Sequence, residues 1–370
     1  MHRMMAILER ELRRFRRSPM LIVMALLMPL VQLIVLGHAF GGQVRNLKLG
    51  IVDQDHRVPA VKLRELTMAI AGNAKTFETI DYSDSGQAIT DLRNGRINGV
   101  LTIPPEFSQR VVENNAPRVA LIEDNADGFV AATMIGSVNG LVAAYNEPAF
   151  KARIATQPRL DIVEVYPYVP YVRYLLPGSI VMSIFMMVMI GGGIIFIDDK
   201  ARGLHEGYLV TPITKFELIA GFNLSGTIKA VMAGSVLMTL GSLIAGVPDP
   251  FEPFRLFRIF VVIVAASLAF VCMMFLIMVR VNDPLMPRAI FGVLNTVLFF
   301  PSGAVYPQQA FPDWMQVIAK VDPMTYVVHA LKSLLLKNTT FTAISYDLTF
   351  LFVFAAATML VATLLFKRTL

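Results

Sequence analysis

An α-helical integral membrane protein with six transmembrane helices, carrying an extracytoplasmic α/β domain inserted between the first and second helices, is the architecture this sequence predicts. Three observations predict it. Hydrophobic residues fill 55% of the 370 positions and charged residues 16%, with a mean hydropathy of +0.59, where soluble domains are roughly 45–50% apolar. The apolar residues gather into runs long enough to cross a hydrocarbon core of about 30 Å at about 1.5 Å per helical residue. Between residues 41 and 173 those runs shrink to strand length and alternate with amphipathic stretches, the βα alternation of an α/β domain.

Residues 1–17 are expected to form a cytoplasmic amphipathic helix, with Met4, Leu8, Leu12 and Phe15 on one face and Arg10, Arg13, Arg14, Arg16 and Arg17 around it. The pattern suits a helix lying against anionic lipid, and equally a topogenic basic flank. Residues 18–40 form the first span, with Pro29 inside it. A cleaved signal peptide is the alternative, since Gly37-His38-Ala39 offers small residues at a cut site, but the apolar run exceeds the usual length.

Within 41–173, strands are expected at Lys48–Val52, Thr76–Tyr82, Ile97–Ile103, Val119–Glu123 and Ile162–Tyr166. Helices are expected at Val58–Ala71, Ser85–Asn94, from Pro104-Pro105 to Asn114, and from Gly128 to Ala155, with Asp127 as an N-cap. The sheet is mixed or parallel. Acids and bases nearly balance here, so the domain is not built for nucleic acid.

Residues 174–370 hold five more apolar runs: Ser179–Ile197, Leu218–Val247, Leu256–Val279, Ala289–Val305 and Tyr346–Phe366. Residues 198–217 form the longest polar interruption among them and are expected on the cytoplasmic side. Lys200, Arg202 and Lys215 there, the arginines of residues 10–17, and Lys367-Arg368 agree with both termini inside, by the rule that Lys and Arg accumulate on cytoplasmic flanks. Arg255 and Arg258 fall on the outer side and are expected to snorkel to headgroups. Residues 306–342, punctuated by Pro307, Pro312 and Pro323, read as two short helices, Val317–Val321 and Val327–Leu336, dipping into the outer leaflet, or as a surface amphipathic helix with aromatic anchors.

No catalytic set emerges. There is no GxxxxGK[ST] phosphate loop, so the chain carries no ATPase site of its own. Asp53, Asp55 and His56 are expected to shape a turn, and the calcium-loop pattern beginning at Glu123 fails because its twelfth position is Met134. No metal site is expected. The one cysteine, Cys272, cannot form an internal disulfide and reads as a packing residue. Gly191-Gly192-Gly193 permits close packing or a kink. The methionines of the second and fourth spans suit packing, or a surface accepting varied apolar ligands. Lys229 is the main ionisable residue within a span, snorkelling or binding an anion.

Four patches carry a resemblance. Within 198–217, Lys200-Ala201-Arg202-Gly203-Leu204-His205-Glu206 precedes Leu209-Val210-Thr211-Pro212. Further patches are Gly50–Asp55, Ile103–Ser108, and Pro301-Ser302-Gly303-Ala304-Val305-Tyr306-Pro307 followed by Phe311–Trp314 and Asp322–Tyr326. In this order, over essentially the whole chain, they resemble the type-2 ABC exporter permeases, in particular the bacterial multidrug-type branch with a large outer domain. Leu204 and Phe222 depart from that pattern, standing where Thr and Lys are usual.

The resemblance implies an ABC ATPase partner that binds ATP and Mg, and a second permease copy, identical or homologous. A periplasmic adaptor is a further partner it suggests, in a bacterial inner membrane. It assigns Arg202, Gly203, Glu206, Thr211 and Pro212 to ATPase coupling. It assigns Pro301, Gly303, Pro307, Trp314, Pro323 and Tyr326 to an outer re-entrant or gate region. The expected substrate is amphiphilic or hydrophobic, drug-like or lipid-like. A membrane-anchored receptor, or a transporter driven by an ion gradient, is the competing class; the first lacks a sizeable intracellular output domain and the second lacks enough ionisable groups within its spans.

Overall fold

The computed structural model describes residues 2–41, 46–74, 77–123, 128–146, 169–194, 213–279, 281, 283 and 286–365. The chain divides into two compact units, one comprising residues 1–41 with 164–370, the other residues 42–163. The first unit opens with α1 (His2–Arg16) and α2 (Pro19–Gly41).

The second unit alternates strand and helix: β1 (Leu47–Asp53), α3 (Val58–Ala74), β2 (Phe77–Tyr82), α4 (Ser85–Arg93), β3 (Gly99–Ile103), α5 (Phe107–Val112), β4 (Ala120–Glu123) and α6 (Gly128–Asn146). The sheet order is β2-β1-β3-β4, with β1 parallel to both neighbours and β4 antiparallel to β3. Side chains alternate across it. Leu49, Leu101 and Ile103 pack with Leu63, Phe107, Met134 and Leu141 of α3, α5 and α6, while Val52 and Val100 pack with Ala88 and Leu92 of α4. Asp84 caps α4 by accepting from the Gly86 and Gln87 amides. Pro104-Pro105 precedes α5 by a turn instead of opening it, and the expected strand at 162–166, the N-cap Asp127 and the end of the 128–155 helix lie outside the described residues.

The first unit resumes with α7 (Tyr171–Val188), which widens into a π-helical turn at Met189–Ile194. Then come α8 (Lys215–Ile244), α9 (Pro253–Met278), α10 (Met286–Phe299), a 3₁₀ turn at Gln308–Ala310, α11 (Asp313–Val321), α12 (Pro323–Lys337) and α13 (Phe341–Leu365). Among the described residues, five helical stretches are long and apolar enough to cross a membrane: Pro19–Ala39, Tyr171–Gly191, Lys215–Ile244, Pro253–Met278 and Phe341–Leu365. The expected run 289–305 divides into α10, whose apolar part Ala289–Phe299 is shorter than a span, and the turn that follows it.

Burial ranks these helices. Within their most apolar stretches α7 is 89% buried and α9 72%, against 22% for α2 and for α13, so α7 and α9 form the centre and α2 and α13 the flanks. Phe185 of α7 anchors that centre, edge-on to Phe270 of α9 and stacked on Phe291 of α10. Met187, Met274 and Met278 are buried in the same core, as packing residues are. A Cβ on Gly234 of α8 would come within 2.7 Å of Ile184, and one on Gly178 within 2.7 Å of Ala304, so both positions depend on backbone-close approach.

Three expectations about polar residues are corrected by the packing. The buried face of α1 contains Ile7, Leu8, Glu11 and Phe15, and Ile7 sits against Gly221 of α8, so protein rather than lipid covers much of that face. Arg255 does not snorkel: it is 5% exposed and donates to the carbonyls of Pro248 and Asp249. Arg258 is likewise held by protein, donating to Asn338 Oδ1 and the Thr339 carbonyl.

Candidate functional site

The coupling residues Arg202, Gly203, Glu206, Thr211 and Pro212 lie outside the described residues. What is described of that segment is its exit into α8. Thr214 Oγ1 accepts from the Glu217 amide, and Glu217 Oε2 accepts from the Thr214 amide and hydroxyl, a reciprocal box that satisfies amides at the helix start. The Thr-x-x-Glu spacing announces this cap, and α8 therefore starts three residues before the apolar run does.

At the end of α7 the π-helical turn exposes the Gly191 carbonyl to Lys229 of α8. Lys229 Nζ donates to Gly191 O at 3.0 Å and to Glu11 Oε2 at 3.2 Å, with the Phe15 ring centroid 5.7 Å away. Lys229 and Glu11 are each 1% exposed. The lysine neither snorkels nor waits for an anion: it already holds a buried carboxylate. Two charges taken out of water are tolerated only with such geometry.

At the start of α7 lies a different cluster. A cavity of about 290 Å³ is lined by residues of α7, α12 and the turn after α10, among them Tyr174, Ser302, Gly303, Gln308, Thr325, His329, Lys332 and Leu336. Gly303 adopts a φ of +81°, a conformation that suits glycine, and its carbonyl accepts from Lys332 Nζ at 2.6 Å. The same ammonium sits 3.4 Å from the Tyr174 ring centroid. Burial pushes the Lys332 ammonium down to about 7. His329, one turn earlier on α12, bonds through Nδ1 to Asp347 Oδ2 at 2.8 Å, and that bond raises its pKa. Asp322 caps α12 through the Met324 amide, and burial raises its carboxyl to about 8.

Of the residues expected in the gate region, Gly303 and Pro307 line this cavity, and Pro301 stands behind it, its carbonyl accepting from Gln308 Nε2 at 3.2 Å. Pro323 is the first residue of α12, where its missing N–H costs nothing. Tyr326 instead turns its ring onto Phe350 of α13, centroids 3.7 Å apart, and Trp314 stands 64% exposed on α11. Sequence reasoning missed Lys332, His329, Asp347 and Glu11. A His and a Lys inside the otherwise apolar run 327–336 were the available signal.

Asp53 accepts from the amides of Asp55 and His56, and Asp55 from the Ser108 amide, so these carboxylates hold turns. Cys272 is buried in α9, with Asn223 Nδ2 at 3.7 Å from its sulfur.

Several membrane-length helices packed around α7 and α9, with the polar groups pairing inside, define a multi-pass helical membrane protein. The chain belongs to the ABC-2 family of transporter proteins, whose family model matches residues 19–364. It is similar to the probable multidrug ABC transporter permease YbhR of Escherichia coli (strain K12), 23% identical with 99% of each chain covered. It is also similar to the probable multidrug ABC transporter permease YbhS of the same organism, 22% identical over 90% of this chain and 88% of YbhS. With the ABC transporter G family member 20 of Dictyostelium discoideum it shares 22% identity over 90% of its own length, but spans 46% of that protein.

Proposed function

We propose that the chain is the membrane-spanning permease subunit of an ATP-binding cassette exporter, moving an amphiphilic or hydrophobic, drug-like or lipid-like substrate out of the cytoplasm or inner leaflet. The observation that carries this reading is the family match from residue 19 to 364, which includes the membrane-length helices and the α/β unit alike. Two relatives named as probable multidrug permeases support the substrate class. In this reading α10 and the turn to Val305 supply a sixth crossing, the α/β domain between the first two spans faces outward, and both termini face the cytoplasm of a bacterial inner membrane. A separate ATPase subunit, binding ATP and Mg, docks under each of two permeases, identical or homologous. A periplasmic adaptor and surrounding lipids complete the partners.

Residues 198–217 transmit ATPase closure. Glu206 offers a carboxylate to a basic or hydroxyl partner, and Pro212 stiffens the exit. The capped start of α8 gives that push a stiff lever. Residues 306–342 form the outer gate. The test is to purify the tagged chain in mild detergent, identify a Walker-A ATPase with it, and measure ATP-dependent uptake into inside-out vesicles. Glu206→Ala and Gly203→Pro should insert normally and leave ATP hydrolysis running while transport drops about tenfold or more, the loss expected when a charge-assisted contact disappears. Wild-type transport by both variants overturns the assignment of the coupling segment.

A further inference from the structure

The cavity at the start of α7 holds a cation that the protein leaves incompletely matched. Lys332 is half-buried, and among the described residues its ammonium meets only a carbonyl dipole and the face of Tyr174; no carboxylate is paired with it. A desolvated ammonium given dipoles alone lacks the counter-charge that usually accompanies burial. The nearby carboxylates are engaged elsewhere, Asp347 with His329 and Asp322 with the first amides of α12. His329 lies three residues before Lys332 on the same helix and spends Nδ1 on Asp347, which directs its protonation toward the cationic form and leaves Nε2 as the ring's other donor. Leu336 and Val328 add an apolar wall.

We propose that this cavity is a binding site for the phosphate headgroup of an anionic amphiphile, with Lys332 and His329 meeting the phosphate oxygens and the ring of Tyr174 and the side chain of Leu336 meeting the first carbons behind it. The volume, about 290 Å³, fits a headgroup and the start of a chain and lies at the low end of the range for drug-sized ligands. Gln308 and Thr325 stand at the same wall, with the Gln308 amide donating to the Pro301 carbonyl and to Thr325 Oγ1, and the Thr325 hydroxyl donating to Asp322, so the cationic side chains carry the recognition. The inference stands independently of what the protein transports.

The full chain in dodecyl maltoside would be titrated with dihexanoyl phosphatidic acid, dihexanoyl phosphatidylcholine and inorganic phosphate, following binding by the shift in melting temperature. Phosphatidic acid should bind, and phosphatidylcholine at least about tenfold more weakly. Lys332→Met should weaken phosphatidic acid by about tenfold and Lys332→Arg by no more than about threefold, in keeping with a hydrogen bond between charged groups. Leu336→Trp, which fills the apolar wall without touching a charge, should weaken phosphatidic acid while sparing inorganic phosphate. If inorganic phosphate binds as tightly as phosphatidic acid and also depends on Lys332, the site stands as an anion site and the lipid source falls. Equal phosphatidic acid binding by wild type and Lys332→Met, equal binding of phosphatidylcholine by wild type, or no binding of any probe overturns the proposal.

Discussion

Lys229 and Lys332 lie near opposite ends of α7, and the protein treats them in opposite ways. Lys229 contacts Gly191 at the helix exit and Lys332 covers Tyr174 near its entry, 17 residues earlier and so about 25 Å away along the axis. Lys229 is 1% exposed and has its own carboxylate, Glu11, brought by α1. Lys332 borders a cavity and has a carbonyl and an aromatic face. The difference teaches how to read a buried charge. One with an internal counter-charge is a fastener, ready to be broken by removing either half; one given only a carbonyl and a ring keeps the capacity to meet an anion, which is the basis of the proposal above.

The largest effect should come from breaking the fastener. Lys229→Met takes the ammonium from the buried Glu11, which keeps only the Arg10 guanidinium 3.5 Å from its other oxygen, and Glu11→Gln takes the carboxylate charge from the buried ammonium; each should cost up to about 3–5 kcal/mol, read as lost yield and a lower melting temperature in detergent. Because the penalty belongs to the orphaned charge, the double variant with Met at 229 and Leu at 11 should recover most of it, and additive losses in that cycle would show the two residues acting separately. Next in size is Gly178→Val. The Ala304 Cβ stands 2.7 Å from where the first added carbon would go, and its backbone 3.2 Å, so the turn carrying Gly303 must move. Overpacking of this kind costs about 1–3 kcal/mol, and the displaced turn should also weaken phosphatidic acid binding at the cavity.

These two regions differ as much in how far the sequence discloses them. Local pattern sufficed for the elements. Alternation and turn residues placed β1, α3, β2 and α4 to within a few residues, and hydropathy placed α2, α8 and α9; α7 begins at Tyr171, eight residues before the expected Ser179, because Tyr171, Arg173 and Tyr174 dilute the apolar signal of its first turns. Their partners were not legible, because a pattern names a residue's face but not what comes to meet it. Glu11 and Lys229 are 218 positions apart. On the helical wheel of α1, Glu11 reads as one more solvated charge among arginines, yet it is buried. The same limit held at the cavity. The family resemblance assigns Gly303 and Pro307 to the gate region, while Lys332, 29 residues on from Gly303, gives no sign in the sequence of reaching back to it. Tyr326 and Trp314 were grouped together as interfacial aromatics, but the structure separates them, one stacked on α13 and the other exposed.

A smaller effect tests the lever at the base of α8. Thr214→Ala removes the hydroxyl that accepts from the Glu217 amide and should cost about 1 kcal/mol of helix stability. Thr214→Ser keeps the oxygen and should lose a few tenths at most. Hydrogen exchange of the first turn of α8 would detect the difference even where the global melting temperature hardly moves.

The smallest effect is the most instructive. If the two lysines were equivalent, Lys332→Met would be as damaging as Lys229→Met. The comparison says otherwise. Among the described residues, removing Lys332 orphans no carboxylate; it leaves the Gly303 carbonyl short of one donor beside the cavity, and it relieves the cost of holding a half-buried ammonium away from solvent. Lys332→Met should therefore change stability by no more than about 0.5 kcal/mol in either direction, the range of substitutions that break no internal partnership. A melting temperature that falls as far for Lys332→Met as for Lys229→Met would mean that Lys332, too, is a fastener, and that the cavity beside it is a by-product of packing.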